Sequence, residues 1–439
     1  MSGRDIPVVD AAQMYQLCVD LFPITRSITG AGVRETLARV SADLALEIHE
    51  VPSGAPAFDW IVPAEWNVRD AFIENARGDR VVDFARSNLH LVSYSTPVRE
   101  RLPLEELRHH LFSLPDRPDL IPYRTSYYEE SWGFCLTHND LLMLEDGDYE
   151  VCVDTSLEPG SLTYGEVFIP GASDEEELFS THVCHPSLAN DNLSGIALLT
   201  FLGRLLRARS LRYSYRLLFI PGTIGSIVWL SRNEANVGRI RHGLVVTGIG
   251  DAAPFTYKSS RRGDADIDRA VQHVLRTTHD DARVVDFSPY GYDERQFCSP
   301  GFNLPVGRLG RSVHGEYPEY HTSGDNLEFI RPAQLAGALE TVIDIVNVLE
   351  GNRRFVNQNP RCEPQLGRRG LYRAVGGAFD SKSTEMALLW VLNYSDGEHD
   401  LLDIASRAAL PFDAVKRAAD LLVDHGLLAL VPAREEESA

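Results

Sequence analysis

Apolar residues first recur at helical spacing, Met14, Leu17, Cys18 and Leu21, which predicts an opening helix. The turn Arg26-Ser27-Ile28-Thr29-Gly30 leads into a second amphipathic helix over about 31–44, and residues 45–56 then read as extended. From about 59 to 153 the texture changes to short alternating or aromatic runs, VVDFA, LHLVSYS, YYEESWGFCL and YEVCVD, broken by Gly, Pro and Asp. This predicts a β-rich subdomain with one short helix at LPLEELRHHLFSLP. From about 162 to 349, apolar strands such as ELFSTHV, YRLLFIPG and GLVVTGIG take turns with helical segments such as NLSGIALLTFLGRLLRARS. Strand and helix alternating at this spacing argue a doubly wound, mostly parallel α/β sheet. The tail from about 372 to 432 reads helix, turn, helix, turn, helix and a short extended wing, a small winged-helix module. The expected division is an α/β domain over 1–58 and 154–356, an inserted β-rich domain over 59–153 and a winged-helix domain over 362–439.

With 439 residues, 44% apolar and 24% charged, the chain has the make-up of a folded protein of two or three domains. Its 42 basic and 63 acidic residues leave a formal charge of -21, which repels a phosphate backbone, so no nucleic-acid partner is expected. The tail fits that expectation: in FDAVKRAADLLVDHG the cations Lys416 and Arg417 face Asp413, Asp420 and Asp424, a poor DNA reader. No run reaches the ~18 apolar residues of a membrane span, and MSGRDIPVVDAAQ has neither a basic nor an apolar leader region, so no membrane partner and a cytoplasmic location are expected. Six scattered cysteines without a CxxC pair read as reduced thiols. Basic residues are nearly all Arg, with Lys only at 258, 382 and 416, a bias of GC-rich bacterial genomes.

The densest chemistry lies in Ser180-Thr-His182-Val-Cys184-His185-Pro-Ser-Leu-Ala-Asn-Asp191-Asn192-Leu-Ser194-Gly195, where a strand ends and a helix begins. The carboxyl ends of strands form the ligand crevice of an open α/β sheet, so imidazoles and a carboxylate there can converge on one ion. Zinc is the natural candidate for neutral imidazole and carboxylate ligands. The plainer alternative is that Asp191 and Asn192 cap the helix and one His is a core residue. A second cluster, Glu316-Tyr-Pro-Glu319-Tyr320-His321-Thr-Ser-Gly-Asp325-Asn326, sits in a turn-rich loop before the last long helix. It offers His321 as a third ligand, with Asp325 either orienting His321 or capping that helix. Between them, Asp293-Glu294-Arg295 precedes Phe297 and a Gly/Pro turn, either a substrate-facing loop or a solvated turn.

Over nearly its whole length the chain resembles a bacterial aminopeptidase-like family, itself distantly similar to the co-catalytic zinc aminopeptidases. The likeness is carried by LFPITRSITGAGVRETL, FDWIVPAEWNVRDAFI, IPYRTSYYEESWGFCL, THVCHPSLANDNLSG, TIGSIVWLSRNE, DERQFCSPGFNLPVG and GEYPEYHTSGDN. It implies a zinc-aminopeptidase-type α/β domain with an inserted β-rich domain of unknown function and a C-terminal winged helix. By resemblance Asp191, in Asp-Asn-x-Ser-Gly, bridges two metals and His321, in Tyr-His-Thr, is a ligand. The upstream His is open: strand position suggests His182 and the CHPS motif His185.

Two departures qualify the resemblance. Relatives show Pro-Glu-Thr-Ile-Gly-Ser, with the Glu as ligand or general base, where this chain has Pro221-Gly222-Thr223-Ile224-Gly225-Ser226. An expected Asp ligand is replaced by Thr247-Gly-Ile-Gly250, with Asp251 as a shifted substitute. One zinc or two are expected on this basis. Gly222 reads as a natural loss leaving a binding protein, as an introduced substitution, or as a change compensated by Glu234 or Glu294 as base. The expected activity is zinc-dependent hydrolysis of amide bonds in small peptides or aminoacylated metabolites, and its rival is a non-catalytic peptidase-like binding protein. Glu294 and Glu319 would receive an α-ammonium group, Arg295 would clamp a carboxylate, and Asp293 and Tyr320 would line the substrate side. Assembly into a homo-oligomer is left open.

Overall fold

The computed structural model describes residues 11–371 and 381–432, which fall into two compact units, 1–263 with 283–340 and 264–282 with 341–439. In the first unit two helices, α1 (Ala11–Leu21) and α2 (Ala31–Leu44), precede the edge strand β1 (Glu47–Pro52). Met14, Cys18 and Leu21 of α1 are buried, the stripe that its apolar spacing predicts.

The inserted region forms a four-stranded antiparallel sheet from β2 (Glu65–Glu74), β3 (Arg80–Asp83), β4 (Val98–Pro103) and β5 (Asp148–Glu158), in the order β3-β2-β5-β4. LHLVSYS, predicted as a strand, is a 3-10 turn at Asn88–His90 followed by isolated bridges. Its serines explain the difference: Ser95 Oγ donates to Val92 O at 2.6 Å and Ser93 Oγ meets Ser27 Oγ at 2.7 Å. Side chains that bond nearby backbone compete with a regular ladder. YYEESWGFCL keeps only the two-residue strand Phe134–Cys135.

The chain then builds β6 (Ser161–Ile169), β7 (Glu176–His182), helix α3 (Ser194–Arg207), β8 (Ser214–Ile220), helix α4 (Ile224–Asn233), β9 (Ile240–Val246), β10 (Thr256–Lys258), β11 (Arg283–Val285) and β12 (Val306–Gly310). With β1 these strands make one eight-stranded sheet, ordered β1-β6-β8-β7-β9-β12-β10-β11. The central strands β8, β7, β9 and β12 are parallel, and the flanking β1 and β6 pair antiparallel. Every residue of β7 is buried, as expected of a strand covered on both faces. From β7 the chain moves to β8 on one side and then crosses to β9 on the other. The carboxyl end of β7, at His182, is therefore a topological switch point, where open α/β sheets form their crevice.

Arg216 of β8 joins two buried carboxylates, donating from Nε to Glu176 Oε2 at 2.6 Å and pairing with Glu166. Trp229 Nε1 of α4 donates to the second Glu166 oxygen at 2.7 Å. Glu166 and Glu176 are 8% and 3% exposed.

The second unit contains α5 (Asp266–Thr278), α7 (Ser381–Tyr394), α8 (Leu401–Ala408), α9 (Phe412–Asp424) and a three-stranded antiparallel sheet of β13 (Arg354–Asn357), β14 (Asp396–Asp400) and β15 (Leu428–Leu430). This is the expected winged helix, extended upstream by β13. The inclusion of α5 was not foreseen; its Arg269 forks onto Asp400 at 2.8 Å and reaches Asp403 at 2.8 Å. On α9, Lys416 pairs with Asp420 at 2.6 Å and Arg417 with Asp413. Helix α6 (Pro332–Gly351) is the one element among the described residues long and apolar enough by length and composition to cross a bilayer, although Glu340, Asp344 and Asn347 interrupt its apolar residues. Leu335, Leu339, Val342 and Val346 within it are buried in protein.

Removing one partner from a buried ion cluster leaves uncompensated charge. Arg216→Met is expected to lower the stability of the first unit by about 3–5 kcal/mol, measured by denaturant unfolding. A loss under about 1 kcal/mol would show that the cluster behaves as a solvated surface pair.

Candidate metal centre

His182 closes β7, and the chain turns through 183–188 into an irregular turn at Ala189–Leu193 before α3 begins at Ser194. Asp191 and Asn192 have non-helical backbone there and are 1% and 3% exposed. Asp191 does not cap α3: its Oδ1 lies 2.8 Å from His182 Nε2. Around Oδ2 stand His321 Nε2 at 3.2 Å and His185 Nε2 at 4.0 Å. Ligand atoms of His182, His185 and Asp191 all lie within 4.8 Å of one another. Both upstream histidines, not one of the two, therefore adjoin the carboxylate.

Asp325 holds this turn rather than orienting His321 or capping α6. Its carboxylate accepts the backbone N–H groups of Asn190 at 2.5 Å and Asp191 at 2.9 Å, and its carbonyl accepts that of Ala189 at 2.9 Å. Asn192 Nδ2 ties the same turn to Thr181 Oγ1 at 2.7 Å and His182 O at 3.1 Å. Asp251 is engaged elsewhere, accepting from Asn190 Nδ2 at 2.7 Å and Ala253 N at 2.6 Å.

Burial acts to raise the Asp191 pKa, but His185, His182 and His321 around it hold it well below the ordinary carboxylate range. Burial lowers His185 from 6.5 to about 3 against the pull of Asp191, so it is a neutral imidazole at pH 7, the form that ligates metal. Asp191 Oδ2, His321 Nε2 and His182 Nδ1 are buried without a hydrogen-bond partner among the described residues. An anionic oxygen left open among imidazole nitrogens is the donor set of a zinc site, so these residues fit the ion.

The position where a Glu was expected shows a substitution of a different kind. A Cβ on Gly222 would lie 3.2 Å from His182 Cβ and 3.7 Å from both carboxylate oxygens of Asp293. Asp293 thus lies in ordinary contact with the point where a side chain from 222 would start. It is 1% exposed; Oδ1 accepts from Ser226 Oγ at 3.0 Å and Oδ2 has no partner among the described residues. Burial raises its pKa from 3.8 to about 6, which His182 and Ser226 only partly offset. Glu294, expected as the compensating base, is 0% exposed and accepts from Lys258 Nζ at 2.7 Å, so it is engaged in a buried ion pair. Glu234 is exposed just beyond the C-terminal end of α4, whose other end follows Gly222.

Aromatic rings wall the cluster. Tyr320 stacks on His321 at 4.0 Å and Tyr292 on His182 at 4.8 Å. Tyr123, from the inserted region, meets His185 and His321 edge-on at 5.2 and 5.1 Å, and its N–H donates to His321 O at 2.7 Å. Arg26 Nε donates to His185 O at 2.8 Å and Ser187 Oγ to Phe22 O at 2.8 Å, so the LFPITRSITG segment fixes the histidine loop. Tyr123, Tyr292 and Arg26 were missed as site residues; their signal was their place in the long motifs. Glu319 is half-buried in the His321 loop, and Arg295, also half-buried, has its Nε unpartnered among the described residues.

Burial raises Asp325 from 3.8 to about 8, reinforced by Asp191 and eased by the two N–H donors. A carboxyl raised by folding keeps in the native state a proton that the unfolded chain has released, so stability falls as pH rises toward the native pKa. Asp293, at its midpoint near pH 6, acts in the same direction, while His185 and His314, lowered by burial, act oppositely until the unfolded imidazole has lost its proton above 6.5. The Asp325 contribution is therefore read as a difference: the stability of the wild type minus that of Asp325→Asn should fall by about 2 kcal/mol between pH 6.5 and 8. Urea melts of both proteins at several pH values measure it; identical slopes would remove Asp325 as its source.

Residues 15–352 match the family model for a domain of unknown function, DUF4910, and residues 353–430 match a winged helix-turn-helix model. A Clostridium acetobutylicum protein provisionally named a polysaccharide biosynthesis protein with aminopeptidase-like domain is 51% identical over 419 residues, 95% of this chain and 96% of that protein. A crystal structure of a Clostridium acetobutylicum protein, provisionally called a peptidase, superposes with TM-score 0.92 at 50% identity, covering 96% of each chain. BSAP, a zinc aminopeptidase from Bacillus subtilis, shares the fold alone, with TM-score 0.58 at 12% identity over 79% of this chain and 96% of its own. The chain belongs to the DUF4910 family, with an α/β domain of zinc-aminopeptidase fold and a C-terminal winged helix.

Proposed function

We propose that the protein is a metal-dependent amide hydrolase of aminopeptidase type, with one zinc ion held by Asp191, His321 and the histidines of the 182–185 turn. The observation that carries this reading is the buried Asp191 carboxylate whose Oδ2 stays open between His321 and His185. A single ion is favoured because Gly222 supplies no ligand and Asp251 is turned to Asn190. When bound, zinc polarises the scissile carbonyl and lowers the pKa of a water toward ~7.

The chain's own residues then divide the remaining work. Asp293 takes the place of the absent Glu as general base, its open Oδ2 accepting the proton of the attacking water and later returning it to the leaving amine. Its pKa of about 6 keeps it ionised at neutral pH yet close enough to hold a proton transiently. Tyr123 and Tyr292 exclude solvent from the imidazoles. Glu319, half-buried two residues before His321, is the carboxylate assigned to receive an α-ammonium group. The provisional name of the Clostridium acetobutylicum relative supports an amide substrate belonging to polysaccharide biosynthesis, such as an aminoacylated or peptide-bearing saccharide precursor. The second reading, a peptidase-like binding protein, is favoured by Gly222 and differs in predicting no turnover at all.

Elemental analysis of the full chain should find about one zinc per molecule, strongly reduced in His321→Ala. Turnover of an aminoacyl-amide library should rise along an acid limb below neutral pH, since Asp293 must lose its proton to act. Asp293→Asn should keep the zinc and lose about 10²–10⁴-fold in rate. Zinc without turnover would select the binding protein, and no zinc after supplementation would end the hydrolase reading.

A further inference from the structure

Two buried cations face each other across the sheet beside the metal centre. In the antiparallel pairing of β10 with β12, Lys258 lies directly opposite Arg308, and the two are 4% and 2% exposed. Like charges at directly opposed positions repel, and the low dielectric of an interior strengthens the effect. One carboxylate, Glu294, lies among them and is bound to Lys258 Nζ at 2.7 Å, which also donates to Tyr290 O at 2.7 Å. Lys258 is thereby paired with a carboxylate and hydrogen-bonded to a carbonyl.

Arg308 is not. Its Nη1 donates to an imidazole nitrogen, His314 Nδ1, at 2.9 Å, and its Nε is buried with no partner among the described residues. Among the described residues no carboxylate lies within 4.0 Å of it. Its guanidinium sits 5.7 Å from the ring of Tyr292, and that ring stacks on His182. Cation–π contact recovers only a fraction of what desolvating a guanidinium costs. A buried cation that is neither paired nor fully bonded is a standing instability, and such sites persist where a ligand completes them.

We propose that Arg308 and His314 form a subsite for an oxyanion, a carboxylate or phosphate, carried by the molecule that the histidine cluster binds. The assignment of that anion to a substrate rests on the hydrolase reading; the subsite itself does not. Because Arg308 donates to His314 Nδ1, the ring carries its proton on Nε2, which makes it a second donor beside the guanidinium fork. Planar forks of this kind take two oxygens of one anion. His314 touches Tyr290 at 5.2 Å and Tyr292 at 5.1 Å, and Tyr290 is 73% exposed, so an anion approaches from the Tyr290 rim while Tyr292 separates it from His182. The substrate class that follows is an amide bearing a negatively charged group away from the scissile bond.

The test is thermal unfolding of the full chain at fixed ionic strength, with chloride replaced by succinate in one arm and by hydrogen phosphate in the other. A saturable rise in melting temperature of about 2–4 °C is expected in at least one arm, and the arm that responds names the anion. In Arg308→Met the response should disappear while the anion-free melting temperature stays equal or rises; Arg308→Lys should keep a response about tenfold weaker in midpoint. No response in either arm overturns the proposal. So does a response that survives Arg308→Met but is lost in His321→Ala, which would put the anion on the metal. An Arg308→Met protein that melts lower or does not fold would also overturn it, by making Arg308 a structural member of the Lys258 and Glu294 pair. Failure of turnover or of zinc binding leaves this result standing, so the two readings fall separately.

Discussion

One ionised carboxylate, Asp191, sits 1% exposed at the carboxyl end of the central strand, and the local architecture is arranged around the cost of keeping it there. An unpaired buried anion is costly by several kcal/mol. His182 meets one oxygen at 2.8 Å, while His321 and His185 approach the other from segments far apart in sequence. Holding those segments requires its own bonds: Arg26 to the His185 carbonyl, Tyr123 to the His321 carbonyl, and Asp325 to the backbone of Asp191 itself. Asp325 does this without adding a second full charge, because burial has pushed its pKa to about 8 and it is largely protonated at neutral pH. Two ionised carboxylates so close would repel; one ionised and one mostly neutral can share the turn.

Gly222 and Asp293 adjoin the same spot. A Cβ at 222 would be in ordinary contact with both Asp293 oxygens, at 3.7 Å, and closer to His182 Cβ, at 3.2 Å. With glycine there, Asp293 Oδ1 is held by Ser226 and Oδ2 has no partner among the described residues.

The sheet, its alternation with helices and the winged helix were legible because apolar periodicity and strand length are local properties. The ligand candidates were legible too, as clusters of metal-binding residue types at strand ends. What the sequence left open was decided by contacts across long separations. Whether Asp191 caps a helix or faces imidazoles depends on Asp325, 134 residues away, holding its backbone non-helical. Whether Glu294 is a base depends on Lys258, brought to it by β10. Tyr123 reaches the site from a region whose own strands gave no reason to place it there. LHLVSYS misled for a local reason, its serines preferring backbone bonds to a ladder.

The formal charge of -21 belongs to the chain as a whole, and near the site buried guanidinium groups stand among buried carboxylates. Arg26, 1% exposed, lies behind His185 and donates to the carbonyls of His185 and Leu21 and to Thr36; burial lowers its pKa to about 10, which still leaves it charged. Arg308 lies on the other side, beyond Tyr292. Neither has a carboxylate within ion-pair distance among the described residues, and Glu35 acts on Arg26 only from further away. A cation neutralised from a distance keeps most of its capacity to bind a nearer anion. An anionic ligand that reaches Arg308 thus meets a guanidinium that no carboxylate among the described residues has already claimed.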